Sequence, residues 1–246
     1  MRYIQLGNGG GLDVRKTNSS FLVEVGENEY LLVDCGFNVP EKLLDLEEND
    51  EHFRIDQIKH VFISHTHMDH LGGLETLIFI NFFKNNVKMI VYTGNMETND
   101  QIKQMLPDRA FKGGRESCMA FAEELISLQN SSYRKITEKT KIRILYQTWH
   151  PCSKNNGIII EKEGKFLAIT GDTKASELLE EEIIEKASEY KNENIVVFHD
   201  YSLWDCPSRN IHACRTDFED EYSKEFKELV VKYHTGQKFN ENWREF

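Results

Sequence analysis

The sequence predicts an α/β fold in which two central β-sheets lie between outer layers of helices. Hairpin-like strands come first along the chain, and strands that alternate with helices follow them. The chain has 246 residues, of which 39% are hydrophobic, and this suits one large α/β domain over residues 1–246 better than two small domains.

Apolar runs rich in β-branched residues predict the strands, and longer segments with helical periodicity predict the helices. The predicted strands are Tyr3–Leu6, Ser20–Val25, Tyr30–Asp34, His60–Ser64, Lys88–Tyr92, Lys141–Tyr146, Gly157–Glu161, Phe166–Thr170 and Ile195–His199. The predicted helices are Glu41–Leu46, Leu71–Lys84, Glu97–Leu106, Glu116–Leu128, Lys174–Tyr190 and Asp217–Val231.

The glycine-rich run from Gly7 to Gly11 follows the first predicted strand. No helix follows this run, so it lacks the context of a nucleotide-binding loop, and a flexible turn is the better interpretation. Asn18 and Ser19 come soon after it and are expected to face the same end of the sheet, as candidates for substrate binding. The later helix Leu71–Lys84 is apolar nearly all round, which fits either a core helix or a subunit interface.

The charge balance bears on the partners of the protein. The chain carries 30 basic and 41 acidic residues, a formal net charge of −11. Proteins that bind long nucleic acids usually present a basic patch, so a long RNA or DNA partner is disfavoured. A small anionic substrate stays possible, because bound metal ions can supply local positive charge.

The cysteines and the distribution of apolar residues indicate the cellular compartment. Its five cysteines form no CxxC pair, which indicates reduced thiols. It has neither a leader-like segment nor an apolar run long enough to cross a bilayer. A cytoplasmic protein without a membrane partner is therefore expected.

The most informative segment is His65-Thr66-His67-Met68-Asp69-His70, directly after the predicted strand His60–Ser64. Three imidazoles and a carboxylate leave the strand together, and these groups are ligands for zinc and similar divalent metals. The packing of a fold rarely requires four ionisable side chains at a strand end. The segment therefore predicts a metal site.

Further candidate ligands follow later elements. His150 and Asp172 each come after a predicted strand, and His234 comes after the last predicted helix. The carboxyl ends of strands gather at one sheet edge, so these side chains can converge there. Asp34 also ends a strand and is expected to orient a ligand imidazole.

This pattern, HxHxDH followed by a later His, a Gly-Asp-Thr and a final His, resembles the metallo-β-lactamase superfamily over nearly the whole chain. The resemblance implies a four-layered αββα sandwich with two divalent metal ions, usually zinc, with manganese or iron in some branches. It implies that the metals activate a bridging water as hydroxide, which Asp69 helps to orient. The implied ligands are His65, His67 and His150 for one metal, Asp69, His70 and His234 for the other, and Asp172 bridging both.

Two later segments resemble the RNase Z branch of this superfamily. By position, Asp200 matches a glutamate of that branch, His212 matches the histidine paired with it, and His199 matches the histidine before the glutamate. An imidazole held by a carboxylate can protonate a departing alkoxide. Asp replaces Glu here, and Ala-Cys replaces Ser-Thr. The alternative is that Asp200 is a structural hydrogen-bonding residue and His212 a surface histidine.

Enzymes of this branch that process tRNA carry a basic arm between the third and fourth metal motifs. The interval from His150 to Asp172 is short, and a predicted hairpin occupies it. The chain therefore resembles the cyclic-nucleotide phosphodiesterases of the phage anti-Pycsar type, which implies a small nucleotide substrate and a homodimer. It would then act in a host cytoplasm. Tyr201 and Trp204 are candidates for stacking on a nucleobase.

Other functions stay open at this point. One alternative is an RNase Z-like endonuclease that processes RNA 3′ ends. Another is hydrolysis of a lactone, thioester or β-lactam, for which His212 would be idle. A third is a binding module that uses the fold as a scaffold.

Overall fold

The structure is a computed structural model of the whole chain. It describes residues 1–13, 15–106, 108–111, 114–129, 132–145, 148, 154–203, 212–237 and 241–246, and for residues 108–111 and 114–117 it describes the backbone alone. The predicted ligand His150 and the predicted stacking residue Trp204 lie outside the described residues.

The elements are numbered in chain order. The strands are β1 (Arg2–Gly7), β2 (Ser20–Gly26), β3 (Glu29–Val33), β4 (Ile58–Ile63), β5 (Ile90–Thr93), β6 (Asp108–Phe111), β7 (Gly114–Ser117), β8 (Glu124–Ser127), β9 (Arg134–Lys135), β10 (Thr140–Leu145), β11 (Gly157–Lys162), β12 (Lys165–Ile169), β13 (Ile195–Asp200), β14 (Val230–Tyr233) and β15 (Arg244–Glu245). The α-helices are α1 (Val39–Asn49), α2 (Met68–Leu71), α3 (Leu74–Phe79), α4 (Met96–Met105), α5 (Glu177–Ala187), α6 (Arg215–Glu221) and α7 (Lys224–Leu229). Short 3-10 turns cover Ile55–Gln57, Cys118–Phe121 and Asn192–Asn194, and a π-helical turn covers Ile80–Lys84.

Two sheets form the centre of the molecule. The first sheet has the order β15-β1-β2-β3-β4-β5-β8, and the second has the order β14-β13-β12-β11-β10-β9. Strands β3, β4, β5 and β8 are parallel, as are β12, β13 and β14. Because the carboxyl ends of parallel strands lie at the same edge of a sheet, the segments that follow β4, β12, β13 and β14 can meet there.

Three apolar clusters hold the layers together. One fills the space between the two sheets. The second packs the first sheet against α1, α3 and α4, and the third packs the second sheet against α5, α6 and α7. The order of layers is therefore helix, sheet, sheet, helix, and the predicted αββα sandwich is confirmed. The single domain over residues 1–246 stays a prediction.

One predicted helix is wrong. Residues Glu116–Leu128 contain the end of β7, a 3-10 turn and strand β8. Strand β8 pairs in parallel with β5 and extends the first sheet, with Ile90 opposite Glu124. Pairing with a neighbouring strand overrides the helical preference of the local sequence.

Two other predicted helices are divided. The segment Leu71–Lys84 is split by the Gly72-Gly73 pair into α2 and α3. Asp217–Val231 contains α6, α7 and the first residues of β14. The side chain of Ser223 caps α7 by accepting a hydrogen bond from the amide of Phe226 at 3.1 Å, so a new helix begins there.

Within the described residues, no helix combines the length and the apolar character that crossing a membrane requires. The helices that pack on the sheets bury one face each and leave the other to solvent. In the segment predicted as either core or interface, Leu74, Leu77 and Ile78 are buried, whereas Phe83 is 57% exposed. Leu74, Leu77 and Ile78 therefore belong to the core, and a subunit interface on the exposed face of this segment stays a prediction.

We expect Phe198→Ala to destabilise the protein by about 3–5 kcal/mol, because it removes a fully buried ring from the cluster between the sheets. The ring of Phe198 contacts Tyr3, Phe21 and Tyr233, with ring centroids 5.7, 4.5 and 6.4 Å away. Urea unfolding measures the loss. Phe83→Ala is the control, and its exposed ring should cost about 1 kcal/mol or less. Equal losses in the two variants would contradict this assignment of the core.

Candidate metal centre

The HxHxDH segment turns sharply where β4 ends. The chain leaves β4 after Ile63, has no regular secondary structure over residues 64–67, and enters α2 at Met68. His65 and His70 are fully buried, Asp69 is nearly so, and His67 is half-buried. The turn brings the rings together: the centroid of His65 lies 4.7 Å from that of His67 and 4.2 Å from that of His70.

Asp34 is the residue that orients this segment. It follows β3, which pairs in parallel with β4, so its carboxylate lies beside the end of β4. One carboxylate oxygen accepts a hydrogen bond from the Ser64 amide at 2.8 Å. The other accepts from the Ser64 hydroxyl and from Nδ1 of His70, each at 2.8 Å. Its predicted role, holding a ligand imidazole, agrees with these contacts.

These hydrogen bonds also determine which ring nitrogens point into the site. The Ser64 hydroxyl donates its hydrogen to Asp34, so it accepts from Nδ1 of His65 at 3.0 Å. His70 likewise donates from Nδ1 to Asp34. In the neutral form of both rings, Nε2 then carries the lone pair that a metal ion needs.

The second sheet supplies Asp172 and His234. Asp172 follows β12 through Gly171, whose φ of +67° is the left-handed conformation that glycine adopts without strain. His234 follows β14. The Asp172 carboxylate lies 3.2 Å from Nε2 of His70, 3.8 Å from Nε2 of His65 and 3.7 Å from Nδ1 of His234.

The ligand atoms form three groups that could each hold a metal ion. Nitrogen and carboxylate atoms within 4.8 Å of one another come from His65, His67 and Asp172 in the first group, and from Asp69, His70 and His234 in the second. The third group consists of Asp172, Asp200, His212 and His234. Two buried ligand atoms, Oδ1 of Asp172 and Nε2 of His234, make no hydrogen bond to the described residues. Buried polar atoms are rarely left this way. The donor set therefore fits divalent cations.

The electrostatics of the site are dominated by opposite charges in a buried space. Burial opposes protonation of His70, but the carboxylates of Asp172 and Asp34 outweigh it and raise its pKa well above the usual value. Burial likewise opposes protonation of His234, and Asp172 with Asp200 raises its pKa to about 10. Burial would raise the pKa of Asp172, but His234 and His70 hold it well below the usual range.

Asp200 and His212 form a carboxylate–imidazole pair beside these groups. Nδ1 of His212 lies 2.8 Å from Oδ2 of Asp200, which also accepts from the Thr173 amide at 2.9 Å. Asp200 is fully buried, whereas the His212 side chain is 28% exposed. Burial opposes protonation of His212, but Asp200 and Asp172 raise its pKa. The structure thus brings the two predicted residues together.

The side chains of His199 and Tyr201 both pack against Phe218 in the helix layer. This placement does not support the predicted stacking of Tyr201 on a nucleobase. Burial lowers the pKa of His199 to about 4, so the ring is neutral near pH 7. It then donates from Nδ1 to the carbonyl of Asp200 and accepts from the Tyr222 hydroxyl. Tyr201 is buried against Phe218. Both side chains support β13 from the helix layer.

The glycine-rich turn contributes to the site in a way that the sequence analysis missed. A Cβ on Gly10 would lie 3.2 Å from the ring of His234, and a Cβ on Gly11 would lie 3.3 Å from the carboxyl carbon of Asp69. The backbone of this turn therefore packs directly on two candidate ligands. In the sequence, the run of glycines from Gly7 to Gly11 was the feature that could have indicated this packing.

Asn18 and Ser19 hold this turn in place. Ser19 donates to the carbonyl of Gly9 from its amide at 2.9 Å and from its hydroxyl at 3.3 Å. The amide of Asn18 donates to the side chain of Asn38 at 2.9 Å. Asn18 also lies against Gly36, where an added Cβ would come within 2.6 Å of it. Their contacts are with the backbone around the site.

We expect Asp34→Asn to weaken metal binding by about 10–100-fold, because an amide cannot hold both imidazoles in the tautomer that exposes Nε2. Asparagine tolerates the φ of +61° at this position, so the backbone should be kept. Competition with a chromogenic chelator measures the affinity for Zn²⁺. Asp45→Asn, at an exposed position of α1, is the control and should leave the affinity unchanged. Equal affinities of the Asp34 variant and the parent would show that Asp34 does not orient the ligands.

Metal uptake should release protons. With no metal bound, the pKa of about 10 keeps His234 protonated near pH 7, and a metal ligand must be neutral. The apparent affinity should therefore rise as the pH increases from about 6 to about 9. Zn²⁺ titration calorimetry in buffers of different ionisation enthalpy counts the protons. His234→Ala should reduce that count by about one. A heat of binding that does not depend on the buffer would contradict the assignment.

Comparison with known proteins agrees with this geometry. A family profile described as "Anti-Pycsar protein Apyc1" matches residues 1–245. The chain is similar to the Anti-Pycsar protein Apyc1 of Bacillus phage 010DV004, with 28% identity over 251 aligned positions, 96% of this chain and 89% of that protein.

Two solved structures are similar in fold. The metallo-β-lactamase fold protein YhfI from Bacillus subtilis superposes with a TM-score of 0.66 at 19% identity, over 95% of this chain and 85% of its own. The short form of human tRNase Z superposes with a TM-score of 0.68 at 16% identity, over 100% of this chain and 99% of its own. The predicted resemblance to the metallo-β-lactamase superfamily and its RNase Z-like branch is confirmed. The chain therefore belongs to the anti-Pycsar Apyc1 family, and it is a metal-dependent hydrolase of the metallo-β-lactamase fold.

Proposed function

We propose that the protein is a two-metal phosphodiesterase that opens the ring of small 3′,5′-cyclic nucleotides. The observation that carries this proposal is the Asp200–His212 pair, which contacts the predicted metal ligands Asp172 and His234. Cleavage of a phosphodiester leaves an alkoxide, and a poor leaving group of this kind needs a proton donor. The resemblance to anti-Pycsar enzymes supports a cyclic nucleotide as the substrate.

The ligands would be shared between two metal ions. When bound, divalent ions would lower the pKa of a water and offset the charge of the phosphate. Imidazole and carboxylate donors suit zinc, and manganese or iron is compatible with them. We assign His65, His67 and the predicted His150 to one ion, Asp69, His70 and His234 to the other, and Asp172 to both.

His212 would supply the proton to the leaving oxygen. Asp200 holds Nδ1 of the ring, so the proton on Nε2 of the imidazolium is the one that can be donated. The raised pKa of His212 favours the protonated form near neutral pH, although burial opposes it. Two further hydrogen bonds hold this segment: the amide of Ala213 donates to Thr173, and the amide of Ser202 donates to Ala213. Asp69, the other predicted catalytic residue, would orient the nucleophile.

The shape of the second sheet supports a small substrate over precursor tRNA. The described part of the interval between His150 and Asp172 is the hairpin β11–β12, which is paired along its length inside the sheet. It forms no projecting arm there. The formal net charge of −11 also disfavours a long RNA. The homodimer and the choice of zinc stay predictions.

We expect His212→Ala to reduce the hydrolysis of 3′,5′-cyclic mononucleotides by about 10²–10⁴-fold, because the leaving alkoxide then lacks its proton donor. The same variant should lose much less activity on bis(p-nitrophenyl) phosphate, whose leaving group needs no proton. Steady-state rates of metal-loaded enzyme on both substrates give the comparison. His52→Ala, at a histidine whose side chain is 78% exposed, is the control.

The substrate panel decides between functions. It contains cyclic mononucleotides, cyclic dinucleotides, precursor tRNA and a lactone, each assayed with Zn²⁺ and with Mn²⁺. Turnover of cyclic mononucleotides supports the proposal. Intact cyclic nucleotides together with cleaved precursor tRNA would replace it with RNA 3′ processing. Lactone turnover that His212→Ala leaves unchanged would replace it with ester hydrolysis.

A further inference from the structure

The candidate metal centre is assembled from two sheets, so its geometry depends on whatever fixes one sheet relative to the other at this edge. His65, His67, Asp69 and His70 follow a strand of the first sheet, whereas Asp172 and His234 follow strands of the second. We propose that Asn155 and Asn156, which precede β11, are positioning residues that set the spacing between the ligands of the two sheets. This inference rests on the proposed two-metal site and extends it.

Asn155 holds the segment that carries Asp172. It is 4% exposed, and its side-chain amide donates to the carbonyl of Asp172 at 2.6 Å and to the carbonyl of Thr170 at 3.3 Å. Its Oδ1 lies over Gly171, where an added Cβ would come within 2.6 Å. One amide therefore clamps both sides of the turn that places the predicted bridging carboxylate.

Asn156 makes the corresponding contacts to the first sheet. Its backbone amide donates to the carbonyl of Ser64 at 3.2 Å, directly before His65. Its side-chain oxygen accepts from the amide of Asn95 at 2.8 Å, and it packs over Gly94 at the end of β5. Two adjacent residues directly before β11 thus contact the segments that follow strands of both sheets.

Asn155 also contacts a residue that lies close in sequence to the third predicted ligand. The hydroxyl of Thr148 donates to the carbonyl of Asn155 at 2.8 Å. Thr148 lies two positions before His150. The two asparagines therefore contact the residue before His65, the backbone of Asp172, and Thr148.

Asn155→Asp tests the proposal. The substitution keeps the shape of the side chain but removes the amide donor, and it places a carboxylate against two carbonyl oxygens. The affinity for Mn²⁺, measured from the electron paramagnetic resonance signal of free Mn²⁺, should fall by about 10–100-fold. Asn81→Asp is the matched control. Asn81 is fully buried and hydrogen-bonded to Asn85 in the helix layer, so it should lose stability but keep its Mn²⁺ affinity within about twofold.

Each outcome decides the question. If Asn155→Asp does not fold, Asn155→Ser, which keeps a shorter donor, should show at least a tenfold loss of affinity. Unchanged Mn²⁺ affinity in a folded Asn155 variant would overturn the proposal. Failure of both Asn155 variants to fold, with Asn81→Asp folded, would also overturn it, because the role would then be general stability. Absence of cyclic-nucleotide turnover in the parent enzyme would refute the proposed function alone, since Mn²⁺ binding requires no substrate.

Discussion

The buried carboxylate of Asp34 is the group on which the candidate centre depends. It accepts three hydrogen bonds, from the amide and hydroxyl of Ser64 and from His70, and through Ser64 it also determines the tautomer of His65. The parallel pairing of β3 and β4 brings this carboxylate to the first metal motif. The pairing of β3 with β4 therefore determines, through Asp34, which nitrogen of His65 and of His70 faces the candidate metal site.

A second constraint is the balance of charge among the buried site residues between the ends of the two sheets. Asp172 and Asp200 are almost completely buried, as is the ring of His70. Burial alone would neutralise these groups, yet each carboxylate favours the protonated imidazole near it, and each imidazolium favours the ionised carboxylate. Metal cations bound between the ends of the two sheets would replace the imidazole protons as the positive charges that offset the carboxylates. Metal binding and the packing of one sheet on the other would then be coupled.

The metal motifs were predictable because they combine residue type with position at strand ends. The layers of the fold were predictable for a similar reason, since hydrophobic strands that alternate with helices leave few arrangements. Strand β8 was not, because its pairing with β5 depends on a partner distant in sequence. Tyr201 was predicted to stack on a nucleobase, but its side chain, like that of His199, packs against Phe218 of α6. Asn155 and Asn156 gave no signal, because nothing in a pair of asparagines indicates which carbonyls they will contact.

The close packing of Gly10 and Gly11 on His234 and Asp69 restricts access to the candidate centre from this side. A Cβ on either glycine would press on the ligand beside it, so backbone lies directly against this side of the centre. Among the site residues that the structure describes, His67, His212 and His234 are partly exposed. In the proposed reaction, the newly formed hydroxyl would lie beside His212, where it would meet water.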